Sequence, residues 1–309
     1  MTYAIGIDLG GTAIKYALVN ANGALIEEGQ VATPAKEGAE AIISTLKKIV
    51  GGLQIVAANR GVTPTSIGIG TPGIVDEQTG TVLGGAENLA GWENIPLAEI
   101  LNTFSGLPVS VNNDANVMGL AEAAFGAAKG CTDVIFLTIG TGIGGAIIIN
   151  GKLFGGYKNR GTELGHIPFI ANGEPCACGA VGCLEHYASA AAMVRRYKEK
   201  AAQQGLQLPA EVDGRYITQL YHQGDITAQE AIHENCRYLG QAIAGFINIF
   251  SPQKVVIGGG LADAGDFYIE RIRQETARFV LSDCAINTTI ERASLGNRAG
   301  CLGATVLNH

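Results

Sequence analysis

Residues Ile5 to Val19 read "IGIDLGGTAIKYALV", and Asp133 to Gly151 read "DVIFLTIGTGIGGAIIING". Each is an apolar run, a glycine-rich turn containing threonine, and a second apolar run. That pattern is a strand, a turn and a strand. In the first copy "NANG" (Asn20 to Gly23) is a further turn and "ALIEEGQVAT" a third strand, so the chain opens as an antiparallel meander. "GAEAIISTLKKIVGGL" has helical spacing, with Ile42, Leu46 and Ile49 on one side. "SIGIGTPG" is a strand entering a glycine turn, and "PVSVNNDANVMGLAEAAFG" a strand, a polar junction and a helix. The order strand–strand–strand–helix–strand–helix begins twice, a weak internal duplication.

In the second copy "GKLFGG" begins another strand. "YASAAAMVRRYKEKAAQQG" and "TAQEAIHENCRYLGQAIAGFINIFSP" are helices, the latter with Leu239, Ile243, Phe246, Ile247 and Phe250 at near-helical intervals. "KVVIGGGLADAG" is a strand ending in glycines, "DFYIERIRQETARFVL" a helix, "AINTTIERAS" a strand and "RAGCLGATVL" a terminal helix. The expectation is an α/β protein with two lobes. Residues 1–117 form the first, to which the terminal helix 297–309 returns, and residues 118–296 form the second.

The 309 residues suit two domains rather than one small core. A net charge of −7 with no basic stripe or arm argues against nucleic acid as a partner. The N-terminus lacks the pattern of a signal peptide, and no apolar run is read as reaching the ~20 residues that cross a bilayer. A cytoplasmic location is the expectation. There, seven cysteines suggest thiols or metal ligands before disulfides.

Neither a P-loop nor a G-x-G-x-x-G fingerprint follows the first strand. "DLGGT" (Asp8 to Thr12) and "TIGTGIGG" (Thr138 to Gly145) instead join strand to strand. Glycine turns let backbone N–H groups face an anion, and hairpin turns alone would give the same residues. Asp8 would hold Mg²⁺ through water. "GGGL" (Gly258 to Leu261) is a third glycine loop, suited to a nucleoside or to a helix start. In "VNNDAN", Asp114 lies where a strand gives way to a helix. A helix cap and a carboxylate that deprotonates a hydroxyl nucleophile are both open readings.

"HIPFIANGEPCACGAVGCLEHY" (His166 to Tyr187) supplies His166, Cys176, Cys178 and Cys183. Three thiolates and one imidazole match a closed, structural zinc site. The site would hold Glu163 and Glu185 in place. The remaining cysteines, Cys131, Cys236, Cys284 and Cys301, fall in apolar surroundings and are expected in the core.

"DLGGT", "GIGTPGIVD", "NNDAN", "TIGTGIGG", "ELGHI" followed by "CACGAVGCLEHYAS", and "IGGGL" together resemble the ROK family of sugar kinases and related repressors, from about Ala4 to Leu307. The cysteine element is the specific one. The resemblance implies an actin-like, ribonuclease-H-like ATPase fold with two lobes around a cleft, ATP and Mg²⁺ as cosubstrates, and a hexose as acceptor. It makes Asp114 the catalytic base. It assigns Asn113, Glu163, His166 and Glu185 to sugar hydroxyls, with His166 also on zinc. Gly73 would contact the sugar through its backbone, and Asn88 would line the pocket. Gly10, Gly11, Thr12, Thr141 and Gly142 match phosphate-loop positions, and Gly259 and Gly260 the nucleoside side. Many members have lysine directly after "GGT"; here Ala13 stands there and Lys15 is given no role.

The implied reaction is phosphorylation of a hexose 6-hydroxyl, glucose first, with N-acetylmannosamine, N-acetylglucosamine, fructose, mannose and allose as alternatives. A sugar-responsive DNA-binding repressor is the reading from another class. Family repressors carry an added N-terminal helix-turn-helix, for which the start at Asp8 leaves no room. Asp8 and Asp114 speak against a catalytically dead sugar-binding protein. The resemblance suggests a homodimer or homotetramer, with Tyr187 to Gln204 a candidate for a symmetric patch.

Overall fold

Strand β1 (Tyr3–Leu9) turns into β2 (Ala13–Asn20), and Asn20 closes the next turn into β3 (Leu25–Ala32). Its Oδ1 accepts the N–H groups of Asn22 and Ala24 at 3.0 Å each, an Asx turn. Next come α1 (Ala39–Asn59), β4 (Pro64–Thr71), a short hairpin β5 (Ile74–Asp76) and β6 (Thr81–Gly84), α2 (Leu97–Ser105), β7 (Val109–Asn113) and α3 (Asp114–Ala124). The second series is β8 (Val134–Ile139), β9 (Ile143–Ile149), β10 (Lys152–Leu153), α4 (Leu184–Ala188), α5 (Ala190–Gln203), α6 (Gly214–His222) and α7 (Ile226–Phe250). It ends with β11 (Lys254–Gly258), α8 (Asp266–Thr276), α9 (Ser282–Ala285), β12 (Thr289–Arg292) and α10 (Ala299–Ala304). These elements come from a computed structural model, which describes residues 2–307. Met1 lies outside the described residues, as do Asn308 and His309 at the end of the expected terminal helix.

The chain divides into two compact units. One holds the residues up to Gly130, Ala146–Thr162 and the chain from Ser294 on; the other holds Cys131–Gly145 and Glu163–Ala293. A division after residue 117 would fall inside α3, which lies wholly in the first unit. The sheet orders are β3-β2-β1-β4-β7 and β10-β9-β8-β11-β12, the same arrangement twice. In the first, β1 is antiparallel to β2 and parallel to β4. In the second, β11 is parallel to β8 and β12. The expected α/β class, meander and duplication are all present.

In the first unit, β1 alternates. Ile5, Ile7 and Leu9 are buried with Ile42, Leu46 and Ile49 of α1, each such side chain contributing about 1.5–3 kcal/mol. On the other face a Cβ at Gly6 would lie 2.0 Å from the Cys301 carbonyl oxygen, and one at its register partner Gly68 1.7 Å from that of Ala304. The two glycines therefore let α10 lie directly on strand backbone. Helix α1 is, by length and composition, apolar enough to cross a membrane, contrary to the sequence reading. One side of it, from Ile42 to Ala57, is buried in this core.

The expected helix from Tyr187 is two helices. Ser189 is extended (φ −72°, ψ 166°) and its Oγ accepts the Ala192 N–H at 3.1 Å, capping α5. Cys236 and Cys301 are buried as expected, but Cys131 and Cys284 are only half-buried, near loops rather than in the core.

Candidate active site

The polar junction "NNDAN" begins α3, and Asn113 is its cap. Asn113 Oδ1 accepts the N–H groups of Ala115 at 2.9 Å and Asn116 at 3.4 Å. Its Nδ2 donates to the Gly73 carbonyl at 3.1 Å. Asp114 Oδ1 accepts the Ala115 N–H at 2.8 Å. Burial raises the Asp114 carboxyl above its ordinary value, against the backbone N–H groups of Ala115 and Asp114 itself. Gly73 has φ +95°, and a Cβ there would meet the Gly84 carbonyl oxygen at 2.4 Å. Only glycine makes that turn. Buried Trp92 steadies its approach by donating from Nε1 to Thr71 Oγ1 at 2.9 Å.

Asp8 is directly across the β1–β2 ladder from Lys15. Burial raises its carboxyl to about 6; Lys15 opposes the rise and Asp114 adds to it. Asp8 and Asp114 therefore feel each other. In the "DLGGT" turn the Gly10 N–H closes the hairpin on the Ala13 carbonyl at 3.0 Å. Thr33 donates to the Gly10 carbonyl from Oγ1 at 2.7 Å and to the Thr12 carbonyl from its N–H at 2.9 Å. A Cβ on Gly11 would lie 2.3 Å from Asn88 Nδ2, so Asn88 lies over this loop.

The second hairpin closes one residue tighter, from the Gly140 N–H to the Gly142 carbonyl at 2.9 Å. Here Glu185 of α4 reaches the turn: its Oε2 accepts the Ile143 N–H at 2.8 Å, and a Cβ on Gly142 would lie 2.3 Å from the same oxygen. Thr141 and Gly260 meet in a pocket of 570 Å³, with Asp213, Arg215, Thr218, Gln219 and His222 of α6 and its cap. Gly259, at φ +85°, instead sits on β8, where a Cβ would be 2.5 Å from the Ile139 carbonyl oxygen. The sequence reading assigned nothing to α6. Asp213 was the available signal, since its Oδ1 caps α6 through the Tyr216 N–H at 2.8 Å.

The cysteine loop is held by two isolated bridges, Pro168–Cys183 and Pro175–Val181, and by backbone hydrogen bonds such as Phe169 N–H to the Gly182 carbonyl and Cys176 N–H to the Ala180 carbonyl. Its four candidate ligand atoms lie within 4.8 Å of one another. Cys178 Sγ and Cys183 Sγ are 3.6 Å apart, and Cys176 Sγ is 3.8 Å from His166 Nδ1. A tetrahedral site with Zn–S bonds of 2.3 Å has edges of about 3.8 Å, so the set fits zinc. Burial and the neighbouring thiols push the Cys183 thiol up to about 12, so a thiolate there needs a cation. Glu163 is exposed at the head of the turn leading to His166, where its carbonyl accepts the His166 N–H at 3.0 Å.

A family model described as "ROK family" matches residues 4–309. A glucokinase of Streptomyces coelicolor is 36% identical, with 99% of this chain and 98% of that protein covered. The crystal structure of a ROK family glucokinase from Streptomyces griseus, in complex with glucose and AMPPNP, matches with a TM-score of 0.83 at 35% identity, covering 99% and 98% of the two chains. An Escherichia coli N-acetylmannosamine kinase is 33% identical over 98% of this chain and 97% of its own. A Caldicellulosiruptor bescii xylose repressor is also 33% identical over 98% of this chain, which covers 77% of the repressor. The actin-like α/β architecture and the match along nearly the whole length agree: the chain belongs to the ROK family.

Proposed function

We propose that the protein is an ATP-dependent hexose kinase that phosphorylates the 6-hydroxyl of glucose. One observation carries the reading at the level of the site. Asn113 caps α3, so Asp114, whose carboxyl is raised by burial, is not needed as a cap. A base with a raised pKa beside a hydroxyl is suited to take its proton. The glucokinase relative and the solved glucokinase with glucose and AMPPNP support the sugar and the donor.

Asp114 orients the hydroxyl and accepts its proton. Gly73, Asn88 and Asn113 serve the sugar; Asn113 retains a second N–H beyond the one given to Gly73. Glu163, His166 and Glu185 serve its hydroxyls too; Glu185 retains Oε1 and His166 retains Nε2. Gly10, Gly11, Thr12, Thr141 and Gly142 serve the phosphates, and Gly259 and Gly260 the nucleoside. The α6 pocket takes the nucleoside, with Gln219 and Arg215 as polar partners. Asp8 would hold Mg²⁺, whose role is to offset charge on the phosphates. His166, Cys176, Cys178 and Cys183 would hold a structural zinc. We place the protein in the cytoplasm, where ATP is supplied and thiols stay reduced.

The test is ADP release with glucose, mannose, fructose, allose, N-acetylglucosamine and N-acetylmannosamine at matched concentrations. Glucose is expected to give the highest kcat/KM, and 6-deoxyglucose to bind without reacting. Preference for an N-acetyl sugar would replace the substrate and keep the reaction. No turnover with any sugar, in protein that binds ATP, would refute the kinase.

A further inference from the structure

Behind the β7–α3 junction lies a buried cluster of asparagines in the first unit. Asn112 Oδ1 accepts from three groups: the Asn113 N–H at 2.8 Å, Asn116 Nδ2 at 3.0 Å and Asn159 Nδ2 at 3.3 Å. Asn159 Nδ2 also donates to the Val75 carbonyl at 3.2 Å. Both partners of Asn159 Nδ2 are acceptors, so a flipped amide would lose both bonds and the orientation is set. Asn159 is 7% exposed. Its Oδ1 and that of Asn116 are buried without a hydrogen-bond partner among the described residues.

The backbone here is also costly. Lys158 and Asn159 are consecutive left-handed residues, at φ 56° and 55°, and Thr162 follows at 65°. Strain and orphaned acceptors together mark a place where stability has been given up for position. Val75 begins two residues after Gly73, and Asn112 immediately precedes Asn113 and Asp114. The two donor bonds of Asn159, with the bond from Asn113 Nδ2 to the Gly73 carbonyl, tie the "TPG" turn to the junction. The segment runs on to Glu163, four residues further along the chain.

We infer that Asn159 is a positioning residue for hexose binding: through Asn112 Oδ1 and the Val75 carbonyl it sets the spacing between the Gly73 turn and the Asn113–Asp114 junction. It touches neither substrate. The inference rests on the hexose-kinase reading above. It predicts that loss of the Nδ2 donors weakens sugar recognition and leaves the nucleotide side alone, because the α6 pocket shares none of these residues.

Two variants separate side chain from backbone. Asn159→Asp keeps the shape and tolerates the left-handed φ, but sets an acceptor against two acceptors. Asn159→Gly keeps the φ and removes the side chain. Hexose KM, ATP KM, kcat and Tm are measured for both and for the native chain. The expected result is a hexose KM raised at least tenfold in Asn159→Asp and several-fold in Asn159→Gly, with ATP KM within twofold of native. A hexose KM within twofold of native in the folded variants overturns the inference. So does an ATP KM raised as much as the hexose KM. Failure of both variants to fold would assign Asn159 to stability alone and overturn it too. No turnover by the native chain would refute the kinase reading, and this one with it; native turnover with unchanged variants refutes this one only.

Discussion

The two glycine hairpins occupy the same place in the same strand order, and each closes from a glycine N–H, yet their chemistry differs. The first carries Asp8 one residue before the end of β1; the second has Thr138 one residue before the end of β8. Beside the first hairpin, burial raises the carboxyls of Asp8 and Asp114. The second has no charged residue in its hairpin, brings Glu185 to it from α4, and carries the loop with the four candidate metal ligands. A duplicated frame thus supports two strategies, charge fixed by the sheet and polar groups fixed by a metal-fitting knot.

Removing the charge at the junction gives the largest expected effect. Asp114→Asn should fold, bind ATP and sugar, and lose ~10² to 10⁴ in turnover, the usual contribution of a general base. Helix capping is no objection, because Asn113 supplies the cap. Single-turnover phosphoryl transfer is the measurement; a variant that keeps native turnover would place the base elsewhere. Because burial raises the Asp114 carboxyl, activity of the native chain should rise with pH through that raised value.

The second unit is tested through its sulfur. The native chain is expected to hold one zinc, by elemental analysis after dialysis. Cys178→Ser should retain less metal, melt lower and bind sugar at least tenfold more weakly, since ordering of the loop is coupled to the metal. Full sugar affinity in metal-free protein would break the contrast between the units, leaving hydrogen bonds alone to hold Glu163, His166 and Glu185.

Much of this was readable in advance. The meander and α1 follow from period-2 and period-3.6 patterns, because burial on one face imposes them. The cysteine set was legible because few other uses put three thiols so close. What stayed hidden was set by distant contacts. Nothing near Gly6 signals that α10 rests on it. "NNDAN" offers four residues suited to capping, and only the bonds that Asn113 Oδ1 accepts from the Ala115 and Asn116 N–H groups pick out the cap. Helix α6 has a single fully buried side chain, Ile217, so its apolar pattern is faint. Ser189 splits an otherwise helical run through a local cap that competes with the helix.

The smallest expected effect sharpens the comparison most, because it has the opposite sign to an ordinary active-site mutation. Asp8 is 6% exposed, and its carboxyl is raised from 3.8 to about 6 by burial, with Asp114 adding and Lys15 opposing. The folded state therefore holds this proton more tightly than the unfolded chain does. Stability linked to Asp8 is greatest below pH 4 and is lost as pH rises through about 6. Above that, the ionised side chain costs on the order of 3 kcal/mol. Asparagine carries no charge at any pH, so Asp8→Asn removes the cost. Without Mg²⁺ or nucleotide, the variant should melt above the native chain at pH 7 to 8, and the gap should close toward pH 4. Its turnover should fall sharply, since the residue proposed to hold Mg²⁺ is gone. A variant that melts lower at pH 7, or a gap that does not change with pH, would mean that the sheet holds Asp8 without strain. The charged unit would then owe nothing in stability to its chemistry.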